Sequence, residues 1–147
     1  MLLPLLALQS QTLTVTELSL GAATVLLDRS FVGAEAGLAH RPSNESRIAL
    51  AVAGGAVSGD PAVRAQLTVQ LVLNSLARSG TGVYAGVGGA FAGQSGVHGQ
   101  SFLAVLVGVE AAPGRRQAWY LELGFCGGVR AAAGWRWRKF PQWWGAR

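Results

Sequence analysis

The stretch Ala62–Asn74, "AVRAQLTVQLVLN", decides the fold. Val63, Ala65, Leu67, Val69, Leu71 and Leu73 are apolar, and Arg64, Gln66, Thr68 and Gln70 stand between them, followed by Val72 and Asn74. A strict two-residue period belongs to a β-strand with one apolar and one polar face. In a soluble β-protein the apolar face points inward, whereas in a barrel that crosses a bilayer it points outward to lipid. The rest of the chain has to decide between the two.

Composition narrows the choice. A chain of 147 residues makes one domain. Half of it is apolar and only 13% is charged, yet no run approaches the roughly 18 uninterrupted apolar residues of a membrane-spanning helix. The 21 glycines argue against a mainly helical protein, since each interior glycine costs a helix about 1 kcal/mol relative to alanine. The single cysteine, Cys126, excludes an internal disulfide and a cysteine-based zinc cluster. Two histidines without ligand-like spacing give no metal site, and no cofactor motif is present. The net charge of +5 raises nucleic acid as a partner, but outside the tail the cations are spread over turns and form no groove with stacking aromatics, so nucleic-acid binding is not expected.

The opening residues 1–11, "MLLPLLALQSQ", resemble the end of a secretory signal. Leu2 to Leu8 match the tail of an apolar core, and Gln9-Ser10-Gln11 could follow a cleavage point. The expected organisation is a signal remnant or N-terminal extension over 1–11, a β-barrel over 12–140 and a C-terminal tail over 141–147. Within the barrel, turn residues cut the chain into eight segments of strand length, at about 15–27, 30–40, 47–57, 62–74, 80–92, 100–112, 116–126 and 129–139. The connections, such as "LDRS", "RPSNES", "APGRR" and "CGG", are short and rich in Gly, Pro, Asn, Asp or Ser. No helical period interrupts them. This predicts an all-β, eight-stranded antiparallel up-and-down barrel with short turns at both rims, whose closure removes exposed edges.

Parity answers the opening question. One parity carries Leu18, Leu20, Val32, Ile48, Leu50, Val52, Leu67, Val69, Leu71, Val87, Leu103, Val105, Val107, Leu121 and Leu123 together with Trp119, Trp135 and Trp137. The other is mostly small or polar and carries seven charges: Glu17, Glu35, Arg64, Glu110, Glu122, Arg130 and Arg136. The narrow space inside eight strands cannot hold Leu, Val and Trp from every strand. A lipid-facing apolar surface around a lumen of small and polar side chains fits, so the chain reads as a transmembrane β-barrel. The seven inward charges must pair as a lumen network, because isolated charges there would be prohibitive.

The remaining cations favour one rim. Arg41, Arg47, Arg78, Arg115, Arg116, Arg138 and Lys139 fall on the even-numbered connections and near the C-terminus, and an up-and-down meander gathers these as a basic rim. Asp28, Arg29, Asp60 and His98 fall at the opposite rim. Trp119, Trp135 and Trp137 face outward near the basic rim, as a membrane-interface girdle would.

On this strand number, alternation and girdle, residues about 12 to 140 resemble the small eight-stranded outer-membrane barrels of the OmpA and OmpX type. The resemblance implies a bacterial outer-membrane location, both termini and the basic rim in the periplasm, and a lumen plugged by side chains. The last strand, "VRAAAGWRWRKF" (Val129 to Phe140), is similar to the aromatic-ended signal read by barrel-assembly machinery, with Phe140 as terminal aromatic. The chain departs from the pattern by continuing with "PQWWGAR" and by lacking long loops on the rim away from the termini, which weakens an adhesive role.

The leading functional expectation is a structural barrel that contributes to envelope integrity or anchors a partner, with no catalysis and no cofactor. Outer-membrane lipids and a periplasmic protein are the expected partners. The first alternative is a soluble exported barrel of the lipocalin kind with an apolar ligand. A weaker one is a lipid-modifying barrel enzyme using His98 and Ser101, but three residues apart on an extended chain these lie on opposite faces. Glu110 and Glu122 read as lumen salt-bridge partners of Arg64 or Arg130, and not as a catalytic carboxylate pair. The glycines of "GTGVYAGVGGAFAG" read as room-makers in a tight lumen. Arg and Lys beside the girdle could hold anionic headgroups, and Trp143 and Trp144 could lie in the interface or dock a partner.

Overall fold

The structure is a computed structural model and describes residues 14–94 and 96–144. The segment read as a signal remnant and the end of the tail lie outside the described residues. Eight strands follow in chain order: β1 (Val15–Leu26), β2 (Phe31–Arg41), β3 (Ser46–Val57), β4 (Asp60–Val72), β5 (Thr81–Gln94), β6 (Val97–Ala111), β7 (Gln117–Phe125) and β8 (Val129–Lys139). Each pairs antiparallel with its sequence neighbour, and β8 closes on β1 from Thr16↔Lys139 to Leu26↔Val129. The result is a closed eight-stranded barrel. At about 3.3 Å per residue and the usual tilt, strands of this length match a hydrocarbon layer.

The alternation read from Ala62–Asn74 is realised in β4. Gln66, Thr68, Gln70 and Val72 are buried inside, while Val63, Leu67, Val69 and Leu71 are exposed outside. Register carries the apolar positions from strand to strand: Leu67 lies opposite Leu50, Leu50 opposite Leu38, Leu38 opposite Leu18, and Leu18 opposite Trp137. The outer surface is therefore a continuous apolar belt. Trp119 pairs across the β7–β8 ladder with Trp135, and all three girdle tryptophans are exposed on it.

Turns are short at both rims. Away from the termini, the β3–β4 hairpin turns on Ser58 (φ 51°) and Gly59 (φ 87°), both in the left-handed region that a tight two-residue hairpin requires. β5 ends at Gln94 and β6 begins at Val97, closer together than "GQSGVHG" suggested, with Gly96 at φ 78°. His98 consequently belongs to β6 and not to a loop. The two longest connections, 73–80 and 112–116, are on the terminal rim, where 42–45 also lies. Beyond β8 a 3₁₀ turn, Gln142–Trp144, folds back on that rim: Trp144 Nε1 donates to the Gly114 carbonyl at 2.8 Å, its ring stacks with Phe140, and the Arg78 guanidinium lies 4.4 Å over it.

Glycine makes the lumen narrow enough to fill. Gly21 faces Gly134 across β1–β8, and Gly33 faces Gly55 across β2–β3. At each of these four positions an added Cβ would run into neighbouring backbone. Gly86 and Gly88 similarly sit against Gln70 and the Leu67 carbonyl, the role read for that glycine-rich stretch, whereas Gly89 faces open space outside.

Candidate functional site

The lumen holds the chemistry, and it is layered. The layer nearest the termini draws a side chain from every strand: Glu17 from β1, Arg41 from β2, Arg47 from β3, Gln70 from β4, Tyr84 from β5, Glu110 from β6, Tyr120 from β7, and Arg136 and Arg138 from β8. Glu17 accepts from Arg41 at 3.0 Å, Arg47 at 2.9 Å and Arg138 Nε at 2.8 Å. Glu110 accepts from Arg47 at 3.1 Å and from Arg136, and lies 3.1 Å from Arg138 Nη2. Four guanidinium groups thus share two carboxylates, all of them buried.

Neutral acceptors take up part of the difference. Gln70 Oε1 accepts from Arg47 Nε at 2.9 Å, the Ser75 and Pro113 carbonyls accept from Arg41, and the Ala112 and Arg115 carbonyls from Arg138. Arg47 lies 4.5 Å over the Tyr84 ring, and Arg136 lies between Tyr84 and Tyr120, 5.3 and 4.7 Å from their centroids. Desolvated cations over aromatic faces gain about 2 kcal/mol each. Among the described residues, the buried side-chain atoms that make no hydrogen bond are the Tyr84 hydroxyl and four guanidinium nitrogens, Arg41 Nε, Arg47 Nη2, Arg130 Nη1 and Arg138 Nη2, the latter as an excess of guanidinium over carboxylate requires.

A second, smaller layer lies further from the termini. Arg130 of β8 donates through Nη2 to both oxygens of Glu35, at 2.5 and 2.6 Å, and its Nη1 is 3.6 Å from Glu122. Beyond it the lumen turns apolar, with Val25, Phe31, Ala53, Ala62, Ala90, Ala104 and Cys126 packed together against Val57 and Phe102. Two spaces along the inner wall measure only about 10 and 30 Å³, enough for about one or two waters. Side chains plug the barrel.

Of the residues expected in the lumen network, the structure brings Glu17, Glu35, Glu110, Glu122, Arg130 and Arg136 into ion pairs. Arg64 faces inward but joins none of them: Nη2 donates to the Cys126 carbonyl at 2.5 Å, and the guanidinium lies near the Phe31 and Phe102 rings. Three residues assigned to the basic rim are corrected. Arg41, Arg47 and Arg138 lie inside, with side chains 1%, 0% and 0% exposed, because the strands extend to or past them on the inward parity. Arg78, Arg115, Arg116 and Lys139 remain exposed on the terminal rim. His98 and Ser101 are on opposite faces of β6, His98 toward the mouth and Ser101 outward. Among the described residues, no three His, Cys, Asp or Glu side chains gather where a metal ion could be held.

Gly108 supports the tyrosine that the arginines sandwich, since a Cβ there would meet the Tyr84 ring and hydroxyl. Gly108→Val should therefore cost about 1–3 kcal/mol by overpacking. In a Tyr84→Ala background the same change should be close to neutral. A urea titration of the four variants checks this coupling, and equal effects in both backgrounds would refute it.

A closed, eight-stranded, all-antiparallel barrel with an apolar exterior and an ion-filled interior is the architecture of the small outer-membrane barrels. Solved structures of that kind match over nearly their whole length. The N-terminal β-barrel domain of Pseudomonas aeruginosa OprF superimposes with a TM-score of 0.70 at 10% identity, over 86% of this chain and 97% of that one. The outer membrane protein OprG from Pseudomonas aeruginosa gives 0.70 at 11% identity, over 89% and 98%. Ail, the attachment invasion locus protein of Yersinia pestis, gives 0.56 at 12% identity, over 88% and 100%. No protein-family model and no curated protein sequence matches the chain. At such identities the likeness establishes the fold.

Proposed function

We propose that this protein is a small, closed barrel of the bacterial outer membrane with a structural role, contributing to envelope integrity or anchoring a partner at its terminal rim. The observation that carries the reading is the inversion of faces: Leu, Val, Ile and Trp ring the outside, while Glu and Arg fill the inside. A lipocalin-like soluble barrel needs the reverse, with an apolar cavity inside, and here the interior is occupied by ion pairs. A lipid-modifying role lacks support, since His98 and Ser101 face opposite ways.

Both ends of the barrel, the start of β1 and the end of β8, lie at one rim, and we place that rim in the periplasm. Arg78, Arg115, Arg116 and Lys139 stand there near the tryptophan girdle, suited to anionic headgroups at about 1 kcal/mol each. The exposed Trp143, presented by the 3₁₀ turn, offers an apolar contact for lipid or a periplasmic protein. The strand ending in Phe140 is the part that barrel-assembly machinery would read.

The test is electrophoresis in dodecyl sulfate of boiled and unboiled samples, after outer and inner membranes are separated. The expected result is a faster-migrating unboiled band in the outer-membrane fraction. Recovery in the soluble fraction without detergent, with no mobility shift, would overturn the proposal.

A further inference from the structure

Arg64 has no counter-ion. The other inward guanidinium groups lie within 4 Å of a carboxylate, but Arg64 forms no ion pair with any described residue. Glu35, on the same register line through Ala53, is already engaged by Arg130. One of the five N–H groups of Arg64 is used on the Cys126 carbonyl, and the Cys126 Sγ lies 3.8 Å from the same nitrogen. The guanidinium lies 5.9 Å from the Phe31 ring centroid and 5.7 Å from that of Phe102. The cation is positioned, and most of its donors are unused.

Those donors form the floor of a cavity. A pocket of about 290 Å³ opens at the rim away from the termini, lined by Arg64, Phe31, Phe102, Val57, His98 and Gln100 among others. It exists because β6 outruns β7: pairing between them stops at Val105↔Phe125, and residues 97–104 continue with β5 alone. Asp28 and Arg29 also line the pocket and offset each other in charge. Its volume is at the small end of the range for ligand sites, and its walls combine apolar surface with a few convergent polar groups.

We propose that this mouth cavity binds a small organic carboxylate, with the carboxylate on Arg64 and an apolar or aromatic body against Phe102 and Val57. A planar guanidinium matches a carboxylate with two parallel hydrogen bonds, which a spherical or tetrahedral anion uses less well. Phe102 and Val57 supply the preference for an apolar body, and an open cavity beside an unpaired cation supplies the site. The proposal goes beyond the structural role and does not depend on it.

The experiment titrates benzoate into the full-length barrel in detergent micelles and follows backbone and arginine side-chain resonances by NMR. Benzyl alcohol and inorganic phosphate serve as comparison probes. Saturable shifts confined to β4, β6 and the 27–31 segment are expected with benzoate, and weaker or no saturation with the other two. Arg64→Gln should weaken benzoate at least about tenfold, Arg64→Lys should weaken it less, and Arg116→Gln at the opposite rim should change nothing. Heat-modifiability of each variant shows that the barrel is intact. Equal titration of Arg64→Gln and the parent, or shifts spread over the lipid-facing residues as in simple partitioning, would overturn the proposal. Phosphate binding as tightly as benzoate would overturn the carboxylate assignment.

Discussion

Glu110→Leu is expected to remove a large part of the barrel's stability. Glu110 is 0% exposed and lies within ion-pair distance of Arg41, Arg47, Arg136 and Arg138. Removing it leaves four buried guanidinium groups with Glu17 as their one carboxylate. Breaking a buried pair by deleting one partner costs about 3–5 kcal/mol, a large part of the 5–15 kcal/mol that holds a typical domain together. Glu110→Gln keeps the shape and an acceptor oxygen but not the charge, so it should fall between parent and leucine variant. The measurement is the fraction of fast-migrating species after refolding into lipid vesicles across a urea series. A leucine variant that folds with the parent's midpoint would show that the network contributes no stability.

The second large effect concerns the outside. Val52 is near the middle of β3, points outward and lies level with Ala36 and Ala65 on the neighbouring strands. If the belt faces lipid, Val52→Arg should cost about 2–4 kcal/mol, and the same change at Leu26, at the end of β1, about 0–1 kcal/mol. In water both are surface substitutions and should change stability by less than about 0.5 kcal/mol. Depth dependence is the readout, taken from unfolding in vesicles. Equal, small effects at both positions would remove the bilayer from the account.

The two-residue period was enough to fix which face each strand turns inward, because a one-residue slip would move every side chain to the other face. Glu17, Glu35, Glu110, Glu122, Arg130 and Arg136 were legible for that reason. The period says nothing of strand ends or of depth. Arg41 is the last residue of β2, Arg47 the second of β3 and Arg138 the last but one of β8. Judged by nearness to turn residues they belong to a rim, yet their long side chains reach back to Glu17 and Glu110. Arg64 shows the complementary gap: its face follows from parity, but whether a carboxylate stands beside it depends on the stagger of β3 and β2, which no single strand encodes. His98 was displaced from loop to strand because β6 already begins at Val97, just past Gly96 at positive φ, where the sequence offered seven plausible turn residues. The mouth cavity was out of reach altogether, since it arises from the unequal lengths of β6 and β7.

Closure of the sheet has a kinetic side. Seven of the eight ladders join consecutive strands and can zip locally, whereas the β1–β8 ladder joins the two ends of the barrel. Arg138 and Glu17 face each other across it and are 121 residues apart. In an unstructured chain a loop of that length costs about 4 kcal/mol of entropy beyond a constant, so this seam should be the last to form. Until β8 arrives, Glu17 and Glu110 lack Arg138 and Arg136, and β1 presents an open edge. The final strand brings Arg130, the counter-charge of Glu35 and Glu122, and hides that edge in one motion. Sealing the wall and completing the second ion-paired layer are thus a single event, and an assembly caught before it still carries an open edge on which another copy can pair.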